Sequence, residues 1–128
     1  MNTVEEYFDR VRQLIQSVPG SRAEQYEEHI LSATRGNLRI RLRFSDKALV
    51  EISEAFVLVS KELLWLSYRY HYQDALGVLV FRYDNAPHHP EIVTHPDHKH
   101  QGEQILASGH PSIEQLLEEV RIVRESAS

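Results

Sequence analysis

Residues 38–44, LRIRLRF, alternate without a break. Leu38, Ile40, Leu42 and Phe44 face one way and Arg39, Arg41 and Arg43 the other, the period-two pattern of a strand with one buried side. ALVEISEAFVLV (48–59) follows after Ser45-Asp46-Lys47, and the parity of that loop decides the pairing. An odd loop sets Leu42 opposite Val50, Ile40 opposite Ile52 and Arg41 opposite Glu51. An even loop sets Leu42 against Glu51 and drives a carboxylate into the apolar side, so the odd loop is predicted. Upstream, YEEHILSA (26–33) pairs with this run through a turn around Arg35-Gly36-Asn37. Downstream, LLWLSYRYHYQ (63–73) puts Leu64, Leu66, Tyr68, Tyr70 and Tyr72 on one side and Trp65, Ser67, Arg69, His71 and Gln73 on the other. Asp74-Ala75-Leu76-Gly77 then turns into VLVFRY (78–83), giving consecutive antiparallel strands and hence a meander.

Helices flank the strands. Thr3 with Glu6 forms a capping box, after which Val4, Phe8, Val11, Ile15 and Val18 recur at helical spacing until Pro19-Gly20. Ser112 with Gln115 opens a second run carrying Ile113, Leu116, Leu117, Val120 and Val123. Between the last strand and this helix, Pro87, Pro90 and Pro96 exclude a regular helix and discourage a central strand. The prediction is one α+β domain over residues 1–128. It has an N-terminal helix at 3–17, an antiparallel meander of four to six strands within 25–83, a histidine-rich loop at 84–110 and a C-terminal helix at 112–125. Both helices pack on one face of the sheet.

Composition narrows the chemistry. The chain has 128 residues and no cysteine, which suits a single core and removes disulfides, thiolate metal sites and thiol nucleophiles. MNTVEEYFDR lacks the basic then apolar start of a signal peptide, and no run approaches the ~20 apolar residues that span a bilayer. A cytoplasmic protein with no membrane partner is expected. The net charge of −5 argues against broad adhesion to nucleic acid but leaves room for a local basic patch. No GxSxG elbow, P-loop or dinucleotide glycine pattern is present, so serine hydrolase, NTPase and dehydrogenase readings have no support.

The histidines carry the strongest signal, because five of the eight, His88, His89, His95, His98 and His100, fall between residues 88 and 100. A loop this long is uncommon in a compact domain unless it works. Two histidines with a cation suffice to cleave RNA without metal: one deprotonates the 2′-hydroxyl, the other protonates the leaving 5′-oxygen, and the cation steadies the charged phosphorus. The acid–base candidates are His88, His89, His98 and His100, with Arg82 on the phosphate, Asp84 orienting a ring and His71 contributing from the neighbouring strand. Arg39, Arg41, Arg43, Arg69 and Lys99 are candidate RNA-binding groups, although the arginine stripe reads more readily as a solvent face paired with Glu51 and its neighbours. The rival reading makes His88, His89, His95, His98 and His100 ligands of a divalent transition metal such as zinc, with Asp84, Glu91 or Asp97 completing the shell. A third reading makes the loop a non-catalytic docking element. The tyrosines of YRYHY (68–72) suggest a base-stacking platform, but period-two aromatics fit a core better. Glu51 and Glu54 lie at odd spacing, so one faces inward and needs a partner such as an arginine.

Two runs, LRIRLRFSDKALVEISEAF and YRYHYQDALGVLVFRYDNAPHHPEIVTHPDHKH, resemble the TumE-type toxins of bacterial and archaeal toxin–antitoxin modules, most specifically in FRYDNAPHHPE and HPDHKH. The likeness extends from about residue 22 to the final helix. It implies a growth-inhibiting toxin neutralised by direct binding of a small helix-turn-helix antitoxin, and it supplies no catalytic residues. An RNA substrate and metal-independent endoribonuclease chemistry follow from the histidines and from the habit of small α+β toxins. The oligomeric state is left open, a homodimer included.

Overall fold

The computed structural model describes residues 3–126. Helix α1 (Val4–Gln16) precedes seven strands, β1 (Ser21–Ile30), β2 (Arg35–Phe44), β3 (Leu49–Val59), β4 (Glu62–Gln73), β5 (Leu79–Asp84), β6 (His98–Gln101) and β7 (Gln104–Ala107), and α2 (Ile113–Ser126) closes the chain. The strands form one antiparallel sheet in sequence order. The fold is α+β, with one strand more than the upper end of the expected range. Both caps form: the Glu6 amide donates to Thr3 Oγ1 at 3.0 Å, and Ser112 and Gln115 exchange reciprocal bonds of 2.9 and 3.1 Å.

One face of the sheet is covered by both helices. Leu38, Ile40 and Leu42 of β2, Val50, Ile52 and Phe56 of β3, Tyr70 and Tyr72 of β4 and Phe81 of β5 meet Phe8, Val11, Leu116 and Val120 in a single buried cluster. Leu42 faces Val50, Ile40 faces Ile52 and Arg41 faces Glu51, the register that loop parity requires. The other face, called here the open face, carries no helix.

Three expectations need correction. The first hairpin turns at residues 31–34, and Gly36 lies inside β2. A Cβ at Gly36 would stand 2.8 Å from Phe56 Cζ and 3.0 Å from Val4 Cγ1, so this glycine is a packing requirement rather than a turn signal. Between β3 and β4 the register shifts at Ala55/Phe56, which pairs Ala55 with Ser67 but Phe56 with Trp65. Trp65 thereby packs against the core while Leu64 and Leu66 are half exposed, the reverse of strict alternation. Finally, the region expected as one loop over 84–110 contains the β6–β7 hairpin, and the irregular segment shrinks to residues 85–97.

Candidate active face

Antiparallel pairing lines up side chains across strands, and on the open face it does so with polar groups. One row runs Arg41, Glu51, His71, Arg82, His100 through successive pairings, and the next runs Arg39, Ser53, Arg69, Asp84, His98. Two strands that read x-Arg-x-Asp and His-x-His with period two therefore present Arg82, Asp84, His98 and His100 side by side. A concavity of about 440 Å³ opens beside them, lined by Leu66, Arg69, Arg82, Asp84 and Pro87 among others. A second concavity, about 420 Å³, lies between the helices on the opposite side against Leu14, Val18, Phe44 and Leu117; no histidine lines either one, and only the first is bordered by Arg82 and Asp84.

Asp84 is the hub of the cluster. It is buried, 7% exposed, and needs partners for its charge. Its Oδ1 accepts from the Ala86 amide at 2.9 Å and lies 3.0 Å from His98 Nε2, while Oδ2 accepts from Arg82 Nε at 3.2 Å. His100 Nε2 stands 3.6 Å from Oδ2 and 3.1 Å from His98 Nε2. His98 is 2% exposed, with Nδ1 held 2.9 Å from the Pro96 carbonyl. His89 comes in from the 85–97 segment, its ring centroid 5.0 Å from that of His98 and 5.8 Å from that of His100. Partial burial, with the Arg82 charge adding to it, holds His100 below the ordinary histidine pKa.

His71 sits on the other side of Arg82 in the same row. Its Nε2 lies 2.9 Å from the Gln73 amide oxygen, an acceptor, so Nε2 carries the proton and Nδ1 keeps its lone pair, 3.5 Å from Arg69 Nη2. Burial lowers its pKa as well, keeping the ring neutral near pH 7.

The remaining sequence candidates separate. His88 and His95 are exposed and outside the cluster of His89, His98 and His100. Arg41 pairs with Glu51 at 3.2 Å and Arg43 with Glu24 at 3.0 Å, as the solvent-face reading anticipates; Arg39 is exposed on the same face. Lys99 does not join them. Its place between His98 and His100 turns it to the helix side, where it binds Glu119 at 2.6 Å and lies over the Phe81 and Tyr83 rings. Tyr68, Tyr70 and Tyr72 are buried on the helix side, which leaves no stacking platform there.

A polar network on that side escapes the sequence reading. Glu54, 4% exposed, is the inward-facing carboxylate, and its partners are tyrosines rather than an arginine. The Tyr7 hydroxyl donates to it at 2.6 Å and the Tyr70 hydroxyl closes on its other oxygen. Tyr70 also lies 2.7 Å from His110 Nε2, and His110 stacks on Tyr68 at 3.6 Å. Burial pushes Glu54 up to about 7, and it pushes His110 down to about 4. The odd spacing of Glu51 and Glu54 flags the carboxylate; nothing local flags His110.

Among the described residues no helix is long and apolar enough to cross a membrane. A family model described as toxin TumE matches residues 10–126. No curated protein matches the chain, and no solved structure does.

Proposed function

The chain belongs to the TumE toxin family, the toxin side of a toxin–antitoxin module, and we propose that it inhibits growth as an endoribonuclease acting on the open face. The observation that carries this reading is the row His71, Arg82, His100, in which a cation stands between two imidazoles and itself lines the concavity. Arg82 and Arg69 engage the phosphate with geometry suited to its oxygens. Neutral His71, its lone pair on Nδ1, takes the proton of the 2′-hydroxyl. The 2′-oxygen attacks phosphorus, the bond to the 5′-oxygen breaks, and that oxygen takes its proton from solvent water on the open face, the hydroxide so formed receiving the proton held by His71. The products are a 2′,3′-cyclic phosphate and a 5′-hydroxyl. A small helix-turn-helix antitoxin would neutralise the toxin by covering this face.

The test is cleavage of a defined RNA by the purified, antitoxin-free chain, with end-group analysis. Wild type is expected to leave cyclic-phosphate ends. His71→Ala should slow cleavage by about 10²–10⁴-fold, the usual worth of a general base, while exposed His88→Ala retains activity. No cleavage by wild type, or full cleavage by the His71 variant, would overturn the proposal.

A further inference from the structure

We infer that His89, His98 and His100 form a binding site for a divalent transition metal of the zinc class, which fastens the 85–97 segment to the β6 strand. The ring of His98 sets the direction. A carbonyl can only accept, so the contact of Nδ1 with the Pro96 oxygen at 2.9 Å places a proton on Nδ1 and turns Nε2 into the cluster. Nε2 stands 3.1 Å from Nε2 of His100 and 3.0 Å from Asp84 Oδ1. Two imidazole nitrogens and a carboxylate oxygen converge there, an arrangement that either a further proton or a metal cation satisfies.

His89 identifies the cation as more than an extra proton. It brings a third imidazole, so that one nitrogen from each ring lies within 4.8 Å of the others. Nitrogens at ~2.0–2.1 Å from a tetrahedral zinc are about 3.3 Å apart, so metal binding would draw the partly exposed His89 ring, carried on the irregular 85–97 segment, inwards. A backbone carbonyl holding Nδ1 while Nε2 faces inward is the usual outer support of a metal-bound histidine. Asp84 supplies adjacent negative charge and is itself held by Arg82 and the Ala86 amide. Imidazole donors select zinc, nickel or copper over magnesium or calcium, which want oxygen shells. The inference does not rest on RNA cleavage, because metal uptake is read without substrate.

The experiment uses the full chain, stripped with chelator and dialysed, then titrated with Zn²⁺ by calorimetry and with Co²⁺ by visible absorption. Wild type should take up one equivalent per chain. His89→Ala and His100→Ala should each weaken uptake by more than about 100-fold, since loss of an outer partner alone costs ~10–100-fold. His88→Ala, one residue away and exposed, should bind like wild type. Far-UV circular dichroism of the His89 variant confirms folding, since its ring sits on an irregular segment outside the core. No saturable uptake by wild type, or unchanged uptake in either ligand variant, would overturn the site whether or not the protein cleaves RNA.

Discussion

Glu54→Gln should convert a pH-dependent stability into a flatter one, and the structure sets the size of the change. Glu54 is 4% exposed, and desolvation raises its pKa to about 7 against the ordinary 4.5, in spite of the two tyrosine contacts that favour the charged form. The sign follows from linkage. Above pH 4.5 the unfolded carboxyl releases its proton while the folded one holds it to about pH 7, so stability falls across that window and levels off above it. A gap of that size, at about 1.4 kcal/mol per unit, corresponds to about 3 kcal/mol between the two ends. Glutamine has nearly the same shape, accepts from Tyr7 and donates to Tyr70, and does not titrate. Urea denaturation of both proteins from pH 4.5 to 8.5 measures the difference. His110, lowered to about 4, contributes to both proteins and cancels. The Gln variant should gain on wild type as pH rises, by about 3 kcal/mol across the range. A difference independent of pH, or one that grows in favour of wild type above pH 7, would mean that the tyrosines hold Glu54 as an anion, and would refute the argument.

Gly36→Ala should destabilise by about 1–3 kcal/mol, the usual cost of overpacking, because its Cβ meets Phe56, Val4 and Phe8 at 2.8, 3.0 and 3.2 Å. An unchanged melting temperature would show that these rings yield freely. Binding of a non-cleavable single-stranded RNA should have a salt slope that falls by about 0.7 in Arg69→Ala for one lost phosphate contact. Lys99→Ala, altered on the opposite face against Glu119, should keep the wild-type slope, and equal slopes in both variants would remove the open face as the RNA surface.

Much of the fold is legible because alternation and parity are local. The Ser45–Lys47 loop fixes the β2–β3 register through the cost of facing Leu42 with a carboxylate, and both helix starts announce themselves through side chains three residues apart. What escapes is set by distant neighbours. Gly36 reads as a turn residue until the rings of Phe8 and Phe56 are placed over it. His110 is one more histidine until Tyr68, Trp65 and Tyr70 enclose it. The β6–β7 hairpin is short, HKHQ and QILA, and two four-residue strands, the first wholly polar and the second without alternation, give no strand signal. His88 and His89 are adjacent and chemically identical in the sequence, and only the path of the chain turns one to the cluster and the other to solvent. The sequence alone favours metal-free acid–base chemistry. The convergence of His89, His98 and His100 is what points the cluster towards a metal.

The connection between β5 and β6 explains why a site forms at this edge. Adjacent antiparallel strands can be joined by a loop of ~2–5 residues, yet residues 85–97 make the crossing. The surplus is ordered. Asn85 Oδ1 accepts from the Tyr68 amide at 3.1 Å, Asp97 accepts from the Tyr68 hydroxyl at 2.9 Å, and Thr94 Oγ1 accepts from the Ser108 amide at 3.0 Å. Each tie fixes one part of the segment to the body of the fold, which carries His89 to the rings of His98 and His100. A sheet alternates its side chains, so a strand that buries Tyr83 for stability must offer Arg82 and Asp84 to the other side. The helices use the first set, and the long crossing gathers histidines over the second. Stability and chemistry are thus drawn from alternate residues of the same strands, which lets the open face change its chemistry without disturbing the core.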